Sequence, residues 1–191
     1  MLDYIQSSGT QYINTGLTPI LGTIKTKFKL LKRVNSSSYD NMFWTQNSSS
    51  PWGSVGYRLD SGGTYFYFSP IGVNIPLSIT ALQEMVANIA SSKVTVNING
   101  TEYSGSGTAS MTSNPLFLFC RNSGGTAEQY AAATLYYFSI SDANGNLLRD
   151  FIPVKSINDL AIGLYDKVND KFYPNNGSGT FTAGSTIGVI Y

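Results

Sequence analysis

The sequence predicts an all-β fold, a sandwich or a barrel, and three features support this prediction. Apolar and polar residues alternate with a period of two over residues 23–30, as in a strand with one buried face. Two Asn-Gly pairs, Asn99-Gly100 and Asn144-Gly145, separate strand-like segments, which is the strongest short signal for a β-hairpin. Short strand-like runs separated by Gly, Asn and Ser turns fill most of the chain, and few segments have helical spacing.

The alternating segment predicts a strand with two different faces. One face is formed by Ile24, Thr26, Phe28 and Leu30, and the other by Lys25, Lys27 and Lys29. We interpret the row of lysines as a solvated face or a protected sheet edge, and an anion-binding stripe is the alternative.

Further strands are expected at short intervals, over residues 41–46, 55–59, 64–69, 94–98, 115–120, 134–141 and 147–154. The runs FLFC and LYYFSI within them are apolar at consecutive positions, so these strands are expected to be covered on both faces. Residues 82–89 are ambiguous because their apolar positions have helical spacing. The hairpin signal at Asn99-Gly100 favours a strand there.

The length and composition suit one domain that spans residues 1–191. A chain of this size can bury a sufficient core without a metal or a disulfide. Cys120 is the single cysteine and there is no histidine, which excludes a disulfide framework and removes the commonest general base and transition-metal ligand.

The charge balance bears on possible partners. The net charge is +1, from 12 basic and 11 acidic residues, whereas nucleic-acid binding needs a clustered excess of Lys and Arg. Charged residues make up 12% of the chain, about half the usual share, and Ser, Thr, Asn and Gly replace them. Such hydroxyl- and amide-rich surfaces are typical of extracellular bacterial and viral proteins. The opening MLDYIQSSG is not a signal peptide, and no apolar run is long enough to span a membrane.

Three stretches resemble a known family. They are YIQSSGTQYINTG at residues 4–16, PLFLFCRN at residues 115–122, and the closing block from LYYFSISDANGNLLRDFIPV to AIGLYDKVNDKFYPNNGSGTFTAG at residues 135–184. They are similar to concanavalin A-like lectin/glucanase (laminin-G-like) domains of gut bacterial surface proteins and phage virion or tail proteins. The resemblance implies a jelly-roll β-sandwich of two antiparallel sheets, on a virion or outside the cell.

The resemblance also implies structural roles in the closing block. Leu148, Phe151 and Leu164 are expected to pack in the fold. Arg149 and Asp150 are expected to satisfy buried or edge hydrogen bonds, and residues 165–167 to form a turn that closes the sandwich. The final residues STIGVIY lie outside the resemblance. They are interpreted as a terminal strand that completes a sheet, or as a segment that pairs with a neighbouring subunit in a homo-oligomer.

The acidic residues do not form a catalytic pattern. Glycosidases of this fold carry two carboxylates on one strand in an E-x-D-x-x-E arrangement, about 5 Å apart for retention, but Glu84, Glu102 and Glu128 are isolated. The sequence DANGN at residues 142–146 is similar to the start of a calcium loop, yet it lacks the glycine and the glutamate that complete one. We therefore expect no catalytic residue, no metal ligand and no cofactor. A weakly bound calcium ion has no support.

Aromatic residues are the candidates for ligand binding, because sugar sites combine apolar plates with a few placed polar groups. In residues 65–68, Tyr65 and Tyr67 share one face, which leaves Phe66 and Phe68 for the core. Trp44 is interpreted as a core residue. For the loop residue Trp52, ligand binding at the surface and a structural role are both left as alternatives. The candidate ligand-binding residues are Trp52, Tyr57, Arg58, Tyr65, Tyr67, Arg121 and Asn122.

These observations favour a non-catalytic binding or attachment domain on a phage particle or bacterial surface, with a glycan as its ligand. The alternative is a structural virion protein, a capsid decoration or tail component, whose sandwich binds other protein subunits. A glycoside hydrolase is the third hypothesis. Neither a nucleic-acid partner nor insertion into a membrane is expected.

Overall fold

The computed structural model describes residues 1–34, 39–49, 53–60, 63–75, 81–108 and 110–188. This part of the chain contains eighteen strands and no helix. In chain order the strands are β1 (Ile5–Ser8), β2 (Ile13–Asn14), β3 (Gly22–Lys32), β4 (Asp40–Gln46), β5 (Ser54–Asp60), β6 (Gly63–Phe68), β7 (Ile71–Ile75), β8 (Gln83–Ile89), β9 (Lys93–Ile98), β10 (Thr101–Ser106), β11 (Phe117–Leu118), β12 (Arg121–Ser123), β13 (Thr126–Glu128), β14 (Ala132–Asp142), β15 (Leu147–Lys155), β16 (Ile162–Asp166), β17 (Lys171–Pro174) and β18 (Thr182–Ala183). Among the described residues, no helical segment has the length and apolarity needed to cross a bilayer.

The strands form two sheets. The first has ten strands in the order β10-β9-β8-β3-β14-β15-β16-β17, with β1 paired to β14 and β18. The second has eight strands in the order β13-β12-β4-β5-β6-β7, with β11 paired to β2 and β4. The predicted all-β fold of two sheets is confirmed. The pairing is antiparallel apart from the short parallel contact of β12 with β4, which the sequence did not predict.

Strand β3 is the predicted alternating strand. Ile24 and Phe28 are buried and Lys25 is exposed, so the apolar face points into the core as expected. The strand lies between β8 and β14. The ambiguous residues 82–89 form the strand β8, as the hairpin signal indicated.

The two Asn-Gly turns differ in conformation. Asn99 and Gly100 both have positive φ, 50° and 86°, as a two-residue hairpin of type I′ requires. In the second turn only Gly145 does, with φ 85°. There the Asp142 carboxylate accepts the backbone N–H of Asn144 and of Asn146, at 2.9 and 2.8 Å, which closes a longer loop. The second Asn-Gly pair therefore does not form the type I′ turn that the first one forms.

The strand expected over residues 115–120 is shorter than predicted, because β11 covers two residues only. Phe119 has φ 67°, a left-handed conformation that interrupts the ladder. Its backbone N–H instead donates to Met42 O at 2.6 Å, and its carbonyl accepts from Ala131 N at 2.8 Å. The expected burial of the FLFC run on both faces is confirmed, since all four side chains are at most 4% exposed.

Aromatic side chains fill the space between the sheets. Phe43 of the second sheet meets Phe138 of the first edge to face, with ring centroids 5.2 Å apart. Tyr57 meets Phe28 in the same way at 5.1 Å. Edge-to-face contacts of this kind add to the free energy gained from burial. The two sheets therefore share one hydrophobic core.

The closing block has only part of the structural roles that the resemblance implied, because Leu148 is half-buried and the expected turn begins at Lys167, after Tyr165 and Asp166 of β16. Phe151 and Leu164 are fully buried. The Asp166 carboxylate is also fully buried, and its Oδ1 accepts the backbone N–H of Asp150 at 3.0 Å and of Val168 at 3.1 Å. Its Oδ2 accepts from Asn169 Nδ2 at 2.6 Å and lies 3.5 Å from Arg149 Nε. This one carboxylate fixes the turn between β16 and β17 to β15.

Burial of Cys120 predicts an unreactive thiol. Burial raises the pKa of this thiol, and only the thiolate reacts readily with disulfide reagents. We expect native protein to resist labelling by an aromatic disulfide reagent at neutral pH, and the same sample in denaturant to react stoichiometrically. Rapid stoichiometric labelling of the native protein would contradict this arrangement.

Tyr57 predicts a loss of stability at alkaline pH. Its side chain is fully buried and its hydroxyl donates to Gln83 Oε1 at 2.8 Å. Burial raises the pKa of Tyr57 from 10.0 to about 12. The neutral phenol therefore contributes fully below pH 10, and its contribution is lost as the pH rises through the folded-state value, by up to about 3 kcal/mol. The free energy of unfolding should fall less steeply over this range in Tyr57→Phe than in the wild type. Parallel curves in denaturant titrations would rule this out.

Candidate functional site

A cluster of four aromatic residues and one arginine lies on the second sheet, and we call it the aromatic patch. It consists of Tyr39, Trp44, Arg58, Tyr65 and Tyr67. Strand register aligns its members, because Trp44 lies opposite Gly56, Gly56 opposite Tyr67, and Arg58 opposite Tyr65. Residues that pair directly across neighbouring strands point to the same face of a sheet. The patch therefore covers the face of β4, β5 and β6 that points away from the core.

Two glycines make room for the rings of the aromatic patch. A Cβ atom on Gly56 would lie 2.5 Å from Cε3 of Trp44, and one on Gly72 would lie 3.2 Å from Cε1 of Tyr67. The first distance is impossible for a real side chain, and the second is tight. The rings thus lie across glycine positions of the neighbouring strands, close to the backbone of the sheet.

Arg58 is the central contact of the aromatic patch. Its Cζ atom lies 4.0 Å from the ring centroid of Tyr39, 4.4 Å from that of Tyr67 and 5.3 Å from that of Trp44. Each contact of this kind contributes about 0.5–2 kcal/mol, depending on how far the pair is desolvated. The ring of Tyr67 also lies 5.6 Å from Trp44 and 6.0 Å from Tyr65. The guanidinium and the four rings therefore hold one another in place.

The members of the aromatic patch differ in exposure. Trp44 is 2% exposed and donates its indole N–H to Gln46 Oε1 at 3.2 Å. The three tyrosines and Arg58 are half-buried. Trp44 thus forms the floor, and the tyrosine rings form a surface that solvent reaches. This arrangement can stack on an apolar face of a ligand and present phenolic hydroxyls beside it.

An ion pair borders the aromatic patch. Arg121 is in register with Trp44 through the parallel contact of β12 with β4, and with Glu128 of β13. Arg121 Nη2 lies 2.8 Å from Glu128 Oε1. Both side chains remain partly exposed, so the pair supplies donors and acceptors at the rim.

The structure brings together some of the predicted residues and separates others. Arg58, Tyr65 and Tyr67 meet in the aromatic patch, and Phe66 and Phe68 are fully buried as the alternation indicated. Tyr57 was an incorrect choice, because its ring lies in the core between the sheets.

Asn122 was also an incorrect choice. It is fully buried, donates its Nδ2 to Pro115 O at 2.8 Å and accepts the Gly125 N–H at 2.7 Å. Its side chain therefore holds a turn and is not available to a ligand. Trp52 lies outside the described residues, so its role as a ligand contact stays a prediction.

Two members of the aromatic patch were not predicted as ligand contacts. Trp44 was assigned to the core, and it is indeed buried, but on the outer face of the sheet. Tyr39 precedes β4 and has no alternating pattern of its own. The signal that identifies Trp44 is its pairing with Gly56, which requires the register of neighbouring strands, and Tyr39 is identified only by its contact with Arg58.

Among the described residues, no group of three or more His, Cys, Asp or Glu side chains could hold a metal ion. Hydrogen bonds, first from the Asn146 side chain, lower the pKa of Asp142, and they serve the turn described above. The expectation of no cofactor stays a prediction.

The C-terminal segment pairs with the N-terminus of the same chain. Thr186 forms an isolated antiparallel bridge with Leu2, and the backbone N–H of Asp3 donates to Ser185 O at 2.8 Å. Residues 185–188 thus continue the edge formed by β1 and β18, while residues 189–191 lie outside the described part of the chain. Pairing with a neighbouring subunit stays a prediction.

The fold is similar to solved binding modules. The CBM40 module of the Ruminococcus gnavus IT-sialidase, solved alone and bound to α2,3-sialyllactose, matches with a TM-score of 0.53 and 10% identity, over 72% of this chain and 89% of that chain. Domains LG4-5 of the mouse laminin α1 chain match with a TM-score of 0.50 and 10% identity, over 74% of this chain and 44% of that chain. Both are jelly-roll sandwiches, which confirms the predicted fold class.

SCP-B, a member of the Eqolisin family of peptidases, matches with a TM-score of 0.41 and 10% identity, a similarity too low to bear on function. No protein-family model matches the sequence. No curated protein matches it either.

Proposed function

We propose that this protein is a non-catalytic glycan-binding module and that the aromatic patch is its binding surface. One observation carries the proposal: on the outer face of a sheet the half-buried Tyr39 and Tyr67 contact Arg58, and the half-buried Tyr65 contacts Tyr67. Contiguous apolar patches on a protein surface mark binding sites.

The chemistry of the aromatic patch suits a saccharide. The C–H faces of a sugar ring are apolar and stack on aromatic rings, while its hydroxyls need donors and acceptors at the margin. The tyrosine rings supply the plates, and their hydroxyls and the Arg121–Glu128 pair supply polar groups at the rim. Since the rings are already in mutual contact, ordering them on binding costs little conformational entropy.

The comparison with CBM40 supports the proposal at the level of the fold. That module has been solved with α2,3-sialyllactose bound, so a sandwich of this architecture can present a sugar site. The identity of the ligand for this chain rests on the aromatic patch alone. We further propose display on a bacterial surface or phage particle, supported by the low charge and the abundance of Ser, Thr, Asn and Gly.

A glycan-array screen tests the proposal. Wild-type protein should bind a restricted set of glycans, and Tyr67→Ala should lose them. Tyr136→Ala is the matched control, because Tyr136 also contacts a tyrosine, Tyr4 at 5.6 Å, and a cation, Lys27 Nζ at 5.7 Å, on the first sheet. A blank array with folded wild-type protein would refute the proposed function.

A further inference from the structure

A second candidate site lies in a cleft of about 350 Å³, which we call the polar cleft. It lies where β17, at the edge of the first sheet, approaches β2 of the second sheet. Its wall includes Asn14, Arg149, Lys171, Phe172 and Asn176. It therefore contains two cations and two amides, and none of the described residues that line it is acidic. Its volume is at the small end of the range for ligand pockets, about 300–1,000 Å³.

Arg149 is held in a fixed orientation at the polar cleft. Its Nη1 donates to Leu148 O at 2.8 Å, and its Nε donates to Thr15 O at 3.3 Å. Its Nε also lies 3.5 Å from Oδ2 of Asp166. Among the described contacts none involves Nη2, so this group keeps its donors for a ligand. A guanidinium that is already fixed loses little entropy when it binds an anion.

The two asparagines of the polar cleft both use their oxygen atoms within the protein. Asn176 Oδ1 accepts the backbone N–H of Asn14 at 3.0 Å, and Asn14 Oδ1 accepts the backbone N–H of Gly16 at 2.9 Å. These bonds determine which end of each amide is the donor. The Nδ2 groups of both side chains therefore remain as donors, and no described contact occupies them.

The positive charge of the polar cleft is only partly balanced. Asp166 compensates Arg149, but it is fully buried and already accepts several hydrogen bonds. Lys171 is exposed, and its Nζ lies 5.1 Å from the ring of Tyr173. The polar cleft thus combines an uncompensated ammonium group, guanidinium donors and two amide donors. Oxyanions accept charge-assisted hydrogen bonds from such groups, and these bonds are stronger than hydrogen bonds between neutral groups.

We propose that the polar cleft is an oxyanion-binding site, which takes a carboxylate or sulfate group either free or carried by a monosaccharide. Arg149 Nη2 and Lys171 Nζ bind the charged oxygens, and the amides of Asn14 and Asn176 donate to the same group. The strands that form the polar cleft differ from those that carry the aromatic patch. The proposed oxyanion site therefore does not depend on the proposed glycan-binding role.

An NMR titration at constant ionic strength tests this site. Sodium sulfate and glucuronate are added separately to labelled protein, with glucose as the uncharged control. At least one of the two anions should cause saturable shifts of the Arg149 Nε–H and the side-chain amides of Asn14 and Asn176, and glucose should not. Lys171→Gln should weaken binding at least about ten-fold, as expected for the loss of one charge-assisted hydrogen bond. Lys155→Gln, another exposed lysine, should bind as the wild type does.

Each outcome decides the matter. Tighter binding of glucuronate than of sulfate indicates an anion carried by a sugar, and saturation by sulfate alone indicates a site for free oxyanions; both support the proposal. The proposal is overturned if neither anion causes saturable shifts, or if the wild type and Lys171→Gln bind with equal affinity.

Discussion

Replacement of Tyr67 by alanine is expected to weaken glycan binding by at least about ten-fold, the equivalent of one strong contact of about 1.4 kcal/mol. Tyr67 contacts Trp44, Tyr65 and Arg58, so its removal takes away one stacking face and one of the rings that hold the guanidinium. Isothermal titration with a glycan identified on the array gives the change in affinity. The side chain is half-buried, so the domain should remain folded, as circular dichroism can verify.

The variant Arg58→Lys keeps the positive charge at this position but removes the planar guanidinium, so it tests whether the shape of Arg58 holds the aromatic patch. Arg58→Lys should bind more weakly than the wild type. A guanidinium is planar and stacks on the rings of Tyr39 and Tyr67, whereas a lysine ammonium is not planar and cannot stack in this way. Tyr136→Ala on the opposite sheet should retain full affinity. Equal losses in Tyr67→Ala and Tyr136→Ala would mean that the aromatic patch is not the site.

Asp166→Ala is expected to lower the free energy of unfolding by about 3–5 kcal/mol, the usual cost of breaking a buried ion pair. The substitution leaves the backbone N–H groups of Asp150 and Val168 without this acceptor and Arg149 without its buried counter-charge. The denaturant midpoint in chemical unfolding measures the effect. Asp166→Asn should cost less, because the amide oxygen can still accept one of these hydrogen bonds.

Asp159→Ala is the matched control for this substitution. Asp159 also accepts a backbone N–H, from Ala161 at 3.1 Å, but in an exposed turn. Its loss should cost less than about 1 kcal/mol, as is usual for surface positions. A comparable loss of stability in the two alanine variants would show that Asp166 does not organise the closing turn.

Local patterns in the sequence predicted much of the fold. The alternation in β3 and the Asn99-Gly100 turn depend on neighbouring residues only, and both are found as expected. Alternation with a period of two also predicted correctly that Phe66 and Phe68 lie in the core and that Tyr65 and Tyr67 lie on the outer face. In β5 the same rule would have placed Tyr57 in the core, since Val55, Tyr57 and Leu59 share one face and Arg58 lies on the other.

The features of the fold and of the aromatic patch that were not predicted depend on contacts between residues that are distant in the sequence. Trp44 lies in β4, which is buried on both faces, so its strand gives no alternation that tells outside from inside. The roles of Gly56 and Gly72 become visible only when three strands are in register. The short β11 ends at Leu118, before Phe119, whose positive φ is stabilised by Met42 and Ala131 in other segments.

The most direct test of the account is an NMR titration that follows the indole N–H of Trp44 and the side-chain N–H of Arg58. The ligand is the strongest glycan found by the array, and the chain is labelled with nitrogen-15. The account predicts that the largest saturable shifts occur at Trp44, Arg58 and their strands, with little change around Tyr136. Largest shifts at the lysine face of β3 or at the polar cleft, with the Trp44 and Arg58 resonances unchanged, would contradict it.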